Sequence, residues 1–233
     1  MTQPALLAIS HGTASQAGQS AIRRLADAVA ERLADVTVRL GHVDVQQPDV
    51  AASLDALPAG KPVVIVPLLL SAGYHVRVDL RKQSAGREGV VIARALGPDA
   101  RLVEVLLQRL GALGMHDTDG VVLAVAGSSD ERANDDCRAV GAMLAEALSR
   151  EVTVGFLAAA EPRLGAAVGS ARGNAARVVV ANYLLAPGYF HDLAVRIAAG
   201  SPVARPLLDD DEPPSVLVDI VVDRYRAAIA AEQ

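Results

Sequence analysis

Residues 63–75 read VVIVPLLLSAGYH and residues 178–190 read VVVANYLLAPGYF, so one segment of this chain occurs twice. Each copy opens with a short run of β-branched and other apolar residues, which is typical of a buried strand in a parallel sheet. Each copy reaches a Gly-Tyr pair near its end, where the strand pattern stops and a helical pattern begins. The repeated unit therefore contains at least a strand, a turn and the start of a helix.

Two further segments repeat at the same spacing. The run LLAISHGTAS at 6–15 matches VLAVAGSSDE at 122–131, and QQPDVAASLDAL from position 46 matches AEPRLGAAVGSA from position 160. Pro162 lies 114 positions after Pro48, and Gly188 lies 115 positions after Gly73. Three matches at nearly one offset indicate two copies of a single folding unit.

Strand-like runs alternate with helical patterns through both copies. The predicted strands are 5–10, 36–44, 62–70 and 90–95, then 121–126, 152–158, 177–185 and 203–205; the predicted helices are 16–34, 49–57, 75–83 and 99–113, then 131–150, 163–171, 190–199 and 214–231. This order predicts an α/β fold with two tandem repeated domains, each a parallel four-stranded sheet flanked by helices. We expect the domains to be 1–116 and 117–233, because Gly and Asp punctuate the pattern there.

The composition limits the class of protein. Hydrophobic residues make up 52% of the 233 residues and aromatic residues only 3%, so the core must be built from Val, Leu, Ile and Ala. The net charge of −5 does not favour nucleic acid as a partner, since phosphate binding needs clustered Lys and Arg. The single cysteine, Cys137, excludes an internal disulfide and a Cys-ligated iron–sulfur cluster.

The apolar segments do not predict membrane association. The longest apolar run, at 63–70, is interrupted by Pro67 and is too short to span a bilayer. The first ten residues lack a basic segment and lead directly into a strand pattern, so we do not expect a signal peptide. We expect a cytoplasmic protein.

Polar residues follow the first three predicted strands at their carboxyl ends, where open parallel sheets bind ligands. Ser10, His11, Gly12 and Thr13 follow the first strand, His42 and Asp44 the second, and Gly73, Tyr74 and His75 the third. With the first strand central, its neighbours would be the second and third. We therefore expect His11, Asp44 and His75 to form a metal site, because imidazole and carboxylate bind Fe, Co, Ni and Zn. We interpret His42 as a structural neighbour of Asp44, and whether it takes part in the site stays open.

The second copy lacks most of this set. Ala158 corresponds to Asp44, and Phe190 corresponds to His75, with His191 one residue later. His11 is either replaced by Gly127 or skipped. We therefore predict that the second domain keeps the fold with a degenerate site, and whether His191 takes part stays open.

Other catalytic patterns are missing from the sequence. Its 233 residues contain no Walker A motif, no G-x-G-x-x-G and no H-E-x-x-H, so we expect no nucleotide cofactor. A phosphohistidine enzyme would use a strand-end histidine such as His11 with an arginine beside it. Here Ser10 precedes the histidine, and the first arginine is Arg23.

The motifs SHGT at 10–13, VDVQQP at 43–48 and LLLSAGYHVRVDL at 68–80 resemble those of the sirohydrochlorin chelatase family, in its two-domain form. These are the ATP-independent class II chelatases of siroheme and cobalamin biosynthesis. The resemblance implies insertion of a divalent metal into sirohydrochlorin, with Fe²⁺ favoured and Co²⁺ or Ni²⁺ as alternatives. It implies that His11 and His75 bind the incoming metal, and that Asp44 stands where the family has Glu, four residues before Pro48.

The resemblance also implies a polycarboxylate tetrapyrrole as partner. Arg77 and Arg81 share a helix face at i, i+4 and are candidates to bind the substrate carboxylates. The remaining candidates for substrate contact are Ser10, Gly12, Thr13, Gly73 and Tyr74. We expect a monomer in which the two fused domains replace a dimer. Two alternatives are a metal or tetrapyrrole carrier without turnover and a histidine-dependent phosphoryl-transfer enzyme.

Overall fold

The computed structural model of the chain describes residues 3–71, 74–198 and 200–231, with side chains throughout except at positions 74–77. The chain forms two compact units. Unit 1 comprises Met1–Leu96 and Asp210–Gln233, and unit 2 comprises Gly97–Asp209. The predicted α/β class with two parallel sheets is confirmed.

Unit 1 contains a parallel sheet in which the first strand of the chain is an interior strand. Its elements from the first segment are β1 (Ala5–Ser10), α1 (Gln16–Arg32), β2 (Val38–His42), α2 (Val50–Asp55), β3 (Val63–Pro67), α3 (Tyr74–Gln83) and β4 (Val90–Ile92). The strand order is β2-β1-β3-β4, all parallel. Every residue of β1 is buried, as its unbroken apolar run predicts. The carboxyl ends of β2, β1 and β3 therefore lie side by side.

Unit 2 repeats this arrangement with a smaller sheet. Its elements are α4 (Ala100–Ala112), β5 (Gly120–Val125), α5 (Glu131–Leu148), β6 (Val152–Phe156), α6 (Leu164–Asn174), β7 (Val178–Tyr183) and α7 (Tyr189–Ile197). The parallel strand order is β6-β5-β7. The expectation of four strands in this unit is wrong for the residues described, because the segment 203–205 makes only one bridge, from Val203 to Val180. Pro202 and Pro206 flank that segment and lack the N–H groups that a longer ladder needs.

The last helix of each sequence repeat belongs to the compact unit formed mainly by the other repeat. The final helix, α8 (Ser215–Ala230), packs against α1 and β3 of unit 1, and its Tyr225 hydroxyl donates to the Pro4 carbonyl at 2.6 Å. Helix α4 packs against α5 and β7 of unit 2. The compact units therefore differ from the predicted domains 1–116 and 117–233, which follow the sequence repeat. Helix amphipathicity indicates that a face is covered, whereas tertiary packing decides which sheet covers it.

Side-chain caps start the helices that follow the site loops of unit 1. The Ser15 hydroxyl accepts from the Gly18 N–H at 3.3 Å at the start of α1, and the Asp49 carboxylate accepts from the Ala52 N–H at 2.8 Å at the start of α2. Such caps satisfy amide groups that lack partners in the first turn. None of the helices within the described residues is both long and apolar enough to cross a membrane.

Candidate metal centre

His11 and Asp44 are neighbours at the carboxyl edge of the unit 1 sheet. The hydrogen-bond ladder continues beyond β1 and β2, because the Val43 N–H donates to the Ser10 carbonyl at 2.9 Å and the Asp44 N–H to the His11 carbonyl at 3.0 Å. Both His11 and Asp44 are exposed to solvent. The structure therefore brings one imidazole-bearing and one carboxylate-bearing residue together, as the strand-end argument predicts.

Gly12 allows this close approach of the two loops. Its φ of 96° lies in the left-handed region, and a Cβ atom there would stand 2.0 Å from the Asp44 carbonyl oxygen. The next loop contains a second unusual residue, Val45, whose φ of 64° is strained for a β-branched side chain. The Val45 N–H donates to Asp44 Oδ1 at 2.7 Å, so the loop orients the carboxylate.

Thr13 is tied into the same loop pair. Its N–H donates to Gln46 Oε1 at 2.9 Å, and its carbonyl accepts from Gln19 Nε2 at 2.8 Å. Its hydroxyl accepts from the Ser15 N–H at 3.1 Å. Gln46 and Gln19 were not singled out as site residues from the sequence. Gln46 is a polar loop residue 33 positions from Thr13, and Gln19 lies on α1, six positions from Thr13. They fix the loop that follows His11.

Ser10 and His42 lie beneath the site instead of facing solvent. Each is only 5% exposed, and Ser10 Oγ lies 2.8 Å from His42 Nδ1, within hydrogen-bond distance. Burial lowers the pKa of His42, and the nearby Arg23 guanidinium lowers that pKa further. The side-chain partner of His42 is thus Ser10, and the interpretation of His42 as a structural neighbour of Asp44 stays a prediction. The hydroxyl of Ser10, predicted to contact substrate, is engaged with His42.

The third strand, β3, ends at the same edge of the sheet. β3 pairs directly with β1, and the Leu68 N–H donates to the Ile9 carbonyl at 2.8 Å, so the expected neighbour relation of these strands holds. Gly73 lies outside the described residues, as do the side chains of Tyr74, His75 and Arg77. The convergence of the His11 and His75 imidazoles stays a prediction. Arg81 is exposed on α3.

The corresponding edge of unit 2 keeps the backbone without the ligand residues. The Ala158 N–H donates to the Ala126 carbonyl at 2.9 Å, as the Asp44 N–H does to His11. Gly127, with a φ of 83°, would place a Cβ 2.0 Å from the Ala158 carbonyl oxygen, as Gly12 does with Asp44. Gly127 is therefore the counterpart of Gly12, and Ala126 is the counterpart of His11. Alanine side chains offer no metal ligand at either position.

His191 forms a structural contact within unit 2. Asn182 is fully buried in β7, and its Nδ2 donates to the Ala204 carbonyl at 3.2 Å, which fixes the orientation of the amide. The same nitrogen lies 2.7 Å from His191 Nδ1, which must therefore accept a hydrogen bond and carry no proton. Burial lowers the pKa of His191, although Asp192 acts in the opposite direction.

We expect the free energy of unfolding to decrease as the pH falls below about 6.5. The pKa values of His42 and His191 both lie below the ordinary value of 6.5, so the unfolded chain binds these protons more tightly than the native state. The stabilisation is complete above pH 6.5 and is lost as the pH falls through the native pKa values. Urea unfolding at several pH values measures this dependence.

His191→Ala should flatten part of that pH dependence and retain most of the activity proposed below. An unchanged pH dependence in this variant would contradict the role assigned to the His191–Asn182 contact. A loss of activity would place a functional group in unit 2.

A cluster of three aspartates, which the sequence analysis did not single out, brings its carboxylates close enough together to hold a metal ion. Among the described residues, carboxylate oxygens of Asp209, Asp210 and Asp211 lie within 4.8 Å of one another. The buried carboxylate of Asp209 already forms ion pairs with Arg109 at 2.7 Å and Arg205 at 3.1 Å. Cations from the protein thus neutralise this carboxylate, which indicates an ion-pair network instead of a metal site.

A cavity of about 880 Å³ lies in unit 1 at the end of the sheet opposite His11 and Asp44. It is lined by residues at the amino ends of the strands, including Pro4, Val63 and Gly89, and by Tyr225 and Ile229 of α8. Because parallel α/β sheets bind ligands at the carboxyl ends of their strands, this cavity does not belong to the candidate site.

Solved structures define the class of fold. SirB from Bacillus subtilis with Fe³⁺ has a TM-score of 0.80 and 18% identity, over 99% of this chain and 97% of that one. The sirohydrochlorin chelatase SirB from Bacillus subtilis subspecies spizizenii, in complex with cobalt, has a TM-score of 0.74 at the same identity and coverage. At this identity the likeness shows the fold alone, which this chain forms as two α/β units with parallel sheets.

Sequence relatives point to the same class. The chain is 32% identical to a sirohydrochlorin cobaltochelatase of Sulfurisphaera tokodaii over 77 residues, which are 31% of this chain and 64% of that relative's length. It is 27% identical to a sirohydrochlorin cobaltochelatase of Sulfolobus acidocaldarius over 109 residues, covering 45% of this chain and 87% of the relative. The CbiX family model matches residues 5–113 and 120–199. The chain therefore belongs to the CbiX family.

Proposed function

We propose that this protein is a sirohydrochlorin chelatase, which inserts a divalent metal ion into the tetrapyrrole. The observation that carries the proposal is the adjacency of His11 and Asp44 at the strand ends of unit 1, joined through the Asp44 N–H. The equivalent backbone hydrogen bond in unit 2 joins Ala158 to Ala126. At this pair of positions, unit 1 therefore has both an imidazole and a carboxylate, and unit 2 has neither. The names of the relatives and membership of the CbiX family support the substrate class.

Metal insertion requires that water leaves the ion and that two pyrrole nitrogens lose their protons. A neutral imidazole can ligate the ion or accept a proton near neutral pH. We propose that His11, Asp44 and His75 hold the substrate metal through few protein groups, so that the ion can pass to four ring nitrogens. Because His11 and Asp44 are exposed, the ring can approach them from solvent.

The substrate carboxylates need cationic or hydrogen-bonding partners. We propose that Arg77 and Arg81 of α3 bind them, since Arg pairs with carboxylates in a bidentate fashion. Gly12 and Thr13 form the loop beside His11, and Gly73 and Tyr74 follow β3 in the sequence. We further propose that the protein acts as a cytoplasmic monomer, in which the duplication replaces a dimer.

The inserted metal is proposed to be Fe²⁺ or Co²⁺. Imidazole and carboxylate ligands bind both ions, so the ligand types do not choose between them. The similar SirB structures contain Fe³⁺ in one case and cobalt in the other, and the two sequence relatives are named cobaltochelatases. The pathway, siroheme or cobalamin, follows from which ion is inserted.

The test is an anaerobic assay of the purified protein with sirohydrochlorin and Fe²⁺, Co²⁺ or Ni²⁺ in parallel. We expect metal-dependent loss of the absorbance of free sirohydrochlorin over many turnovers. A loss that stops at one equivalent of protein would indicate a carrier. Hydrolysis of phosphate monoesters without metal insertion would instead favour the phosphoryl-transfer alternative.

We expect Asp44→Ala to lower the insertion rate by about a hundredfold, in the range of general acid–base effects. Asp44→Asn is the matched control for loop structure, because its side-chain oxygen can still accept from the Val45 N–H. Asp44→Asn should be nearly as impaired as Asp44→Ala, and Asp44→Glu should keep substantial activity. Steady-state rates with Co²⁺ measure this series. Full activity of Asp44→Asn would show that the carboxylate charge is not used.

A further inference from the structure

The last residue pair of the β1–β2 ladder is polar and buried, directly before the candidate ligands. Ser10 pairs in register with His42, and their side chains lie 2.8 Å apart at Oγ and Nδ1. The next residue after Ser10 is His11, and Asp44 follows His42 by two positions. A buried polar pair destabilises a core unless it is hydrogen-bonded, so its presence needs a reason.

Unit 2 shows that the fold does not require this polar pair. Val125 and Phe156 occupy the same register position between β5 and β6, and both are buried. The surrounding backbone is the same, since the Leu157 N–H donates to the Val125 carbonyl at 2.9 Å, as the Val43 N–H does to Ser10. An apolar pair can therefore occupy this strand end in the same fold.

The neighbouring arginine is also repeated. The positive charge of Arg23 lowers the pKa of His42. Arg138 lies 115 positions after Arg23, and its guanidinium carbon stands 5.3 Å from the centre of the Phe156 ring. The two units thus differ at this strand end chiefly in the polar pair and in the residues that follow it. The polar pair occurs where the ligand residues occur, and both are replaced together in unit 2.

We propose that Ser10 and His42 are positioning residues of the metal site, and that their hydrogen bond fixes the ends of β1 and β2 so that His11 and Asp44 meet one ion. This inference rests on the proposed function. A hydrogen bond is directional, so it restricts the relative positions of two strand ends more than apolar packing does. Metal ligands need that precision, because a shift of about 0.5 Å already weakens a site.

The test transplants the apolar pair of unit 2 into unit 1. The Ser10→Val/His42→Phe double variant should fold, because Val125 and Phe156 occupy this backbone in unit 2. Its Co²⁺ affinity, measured by titration calorimetry, should fall by about 10- to 100-fold, as for other partners of metal ligands. Its kcat for insertion should fall while KM for sirohydrochlorin stays unchanged. A merely structural role would change the unfolding midpoint but not the affinity of the folded protein.

Two controls separate the hydrogen bond from its surroundings. Ser10→Thr keeps the hydroxyl and should retain most of the Co²⁺ affinity. The reciprocal Val125→Ser/Phe156→His variant places the polar pair in unit 2 and should leave Co²⁺ affinity and insertion unchanged, because Ala126 and Ala158 supply no ligands.

Unchanged Co²⁺ affinity in the Ser10→Val/His42→Phe protein would overturn the inference, as would an equal loss in Ser10→Thr. If the double variant does not fold, Ser10→Ala takes its place. The same loss of Co²⁺ affinity is expected in Ser10→Ala, and an unchanged affinity would again overturn the inference. Failure of the unmodified protein to insert metal would overturn the proposed function instead, and the Co²⁺ titrations would still judge the positioning role.

Discussion

The double variant His11→Ala/His75→Ala is expected to lose metal insertion completely while keeping its fold. His11 is exposed at the end of the central strand, and β3, which leads towards His75, is the direct neighbour of that strand. Neighbouring strands lie about 4.8 Å apart, so two imidazoles at their ends can share one ion with nitrogens near 2.1 Å from it. Removing both leaves Asp44 as the remaining proposed ligand. Insertion rates and Co²⁺ titration measure the loss.

Thermal unfolding controls for the fold, because removal of an exposed side chain such as that of His11 usually changes stability little. His191→Ala, in unit 2, is the matched histidine control and should stay active. Co²⁺ soaked into crystals should appear between His11 and His75, and binding should weaken at low pH because protonated imidazole cannot ligate. An ion bound elsewhere, or insertion by the double variant, would contradict the assignment of these two histidines.

Gly12→Ala is expected to have the second-largest effect, on both stability and activity. The new Cβ would stand 2.0 Å from the Asp44 carbonyl oxygen, so the loop that carries Asp44 must move. The left-handed φ of 96° adds strain of about 1–3 kcal/mol to any residue with a side chain. We expect a lower free energy of unfolding in urea and an insertion rate reduced by at least about a hundredfold.

Gly127→Ala provides the matched control for that prediction. Its φ of 83° and its 2.0 Å approach to the Ala158 carbonyl oxygen reproduce the geometry of Gly12 in unit 2. We expect a similar loss of stability but near-normal insertion by the folded protein. Equal loss of activity in the two variants, measured where both remain folded, would show that the chemistry is not confined to unit 1.

Local sequence patterns predicted most of the elements because apolar periodicity is a local property. The strand 5–10 was predicted with the bounds it has, and α1, predicted as 16–34, ends two residues earlier, at Arg32. The second strand, predicted as 36–44, is shorter, spanning Val38–His42. The alternation of apolar and polar residues continues past His42 into Val43 and Asp44. Each of these two residues makes one backbone hydrogen bond to the neighbouring segment, to Ser10 and His11 respectively, although the strand has already ended. Sequence alone does not mark where such a ladder becomes a loop.

The candidate site was predictable in part for a similar reason. Parallel strands end at one edge, so His11 and Asp44 were expected to be close, and the Asp44 N–H bond to His11 agrees with that expectation. The partner of Ser10 and the contact of Gly12 were not predictable. Both depend on residues about 30 positions away, and a distance of 2.0 or 2.8 Å between them follows from loop geometry that no local pattern records.

The sequence by itself determined that the chain is duplicated and that strands alternate with helices in both copies, and it predicts that the metal ligands belong to the first copy. These properties follow from residue order and periodicity. Only the tertiary structure decided that α4 packs in unit 2 and α8 in unit 1. Each helix carries an apolar face that either sheet could cover, and the choice depends on which packing buries that face best. For α8, that packing joins segments more than 100 residues apart in the chain.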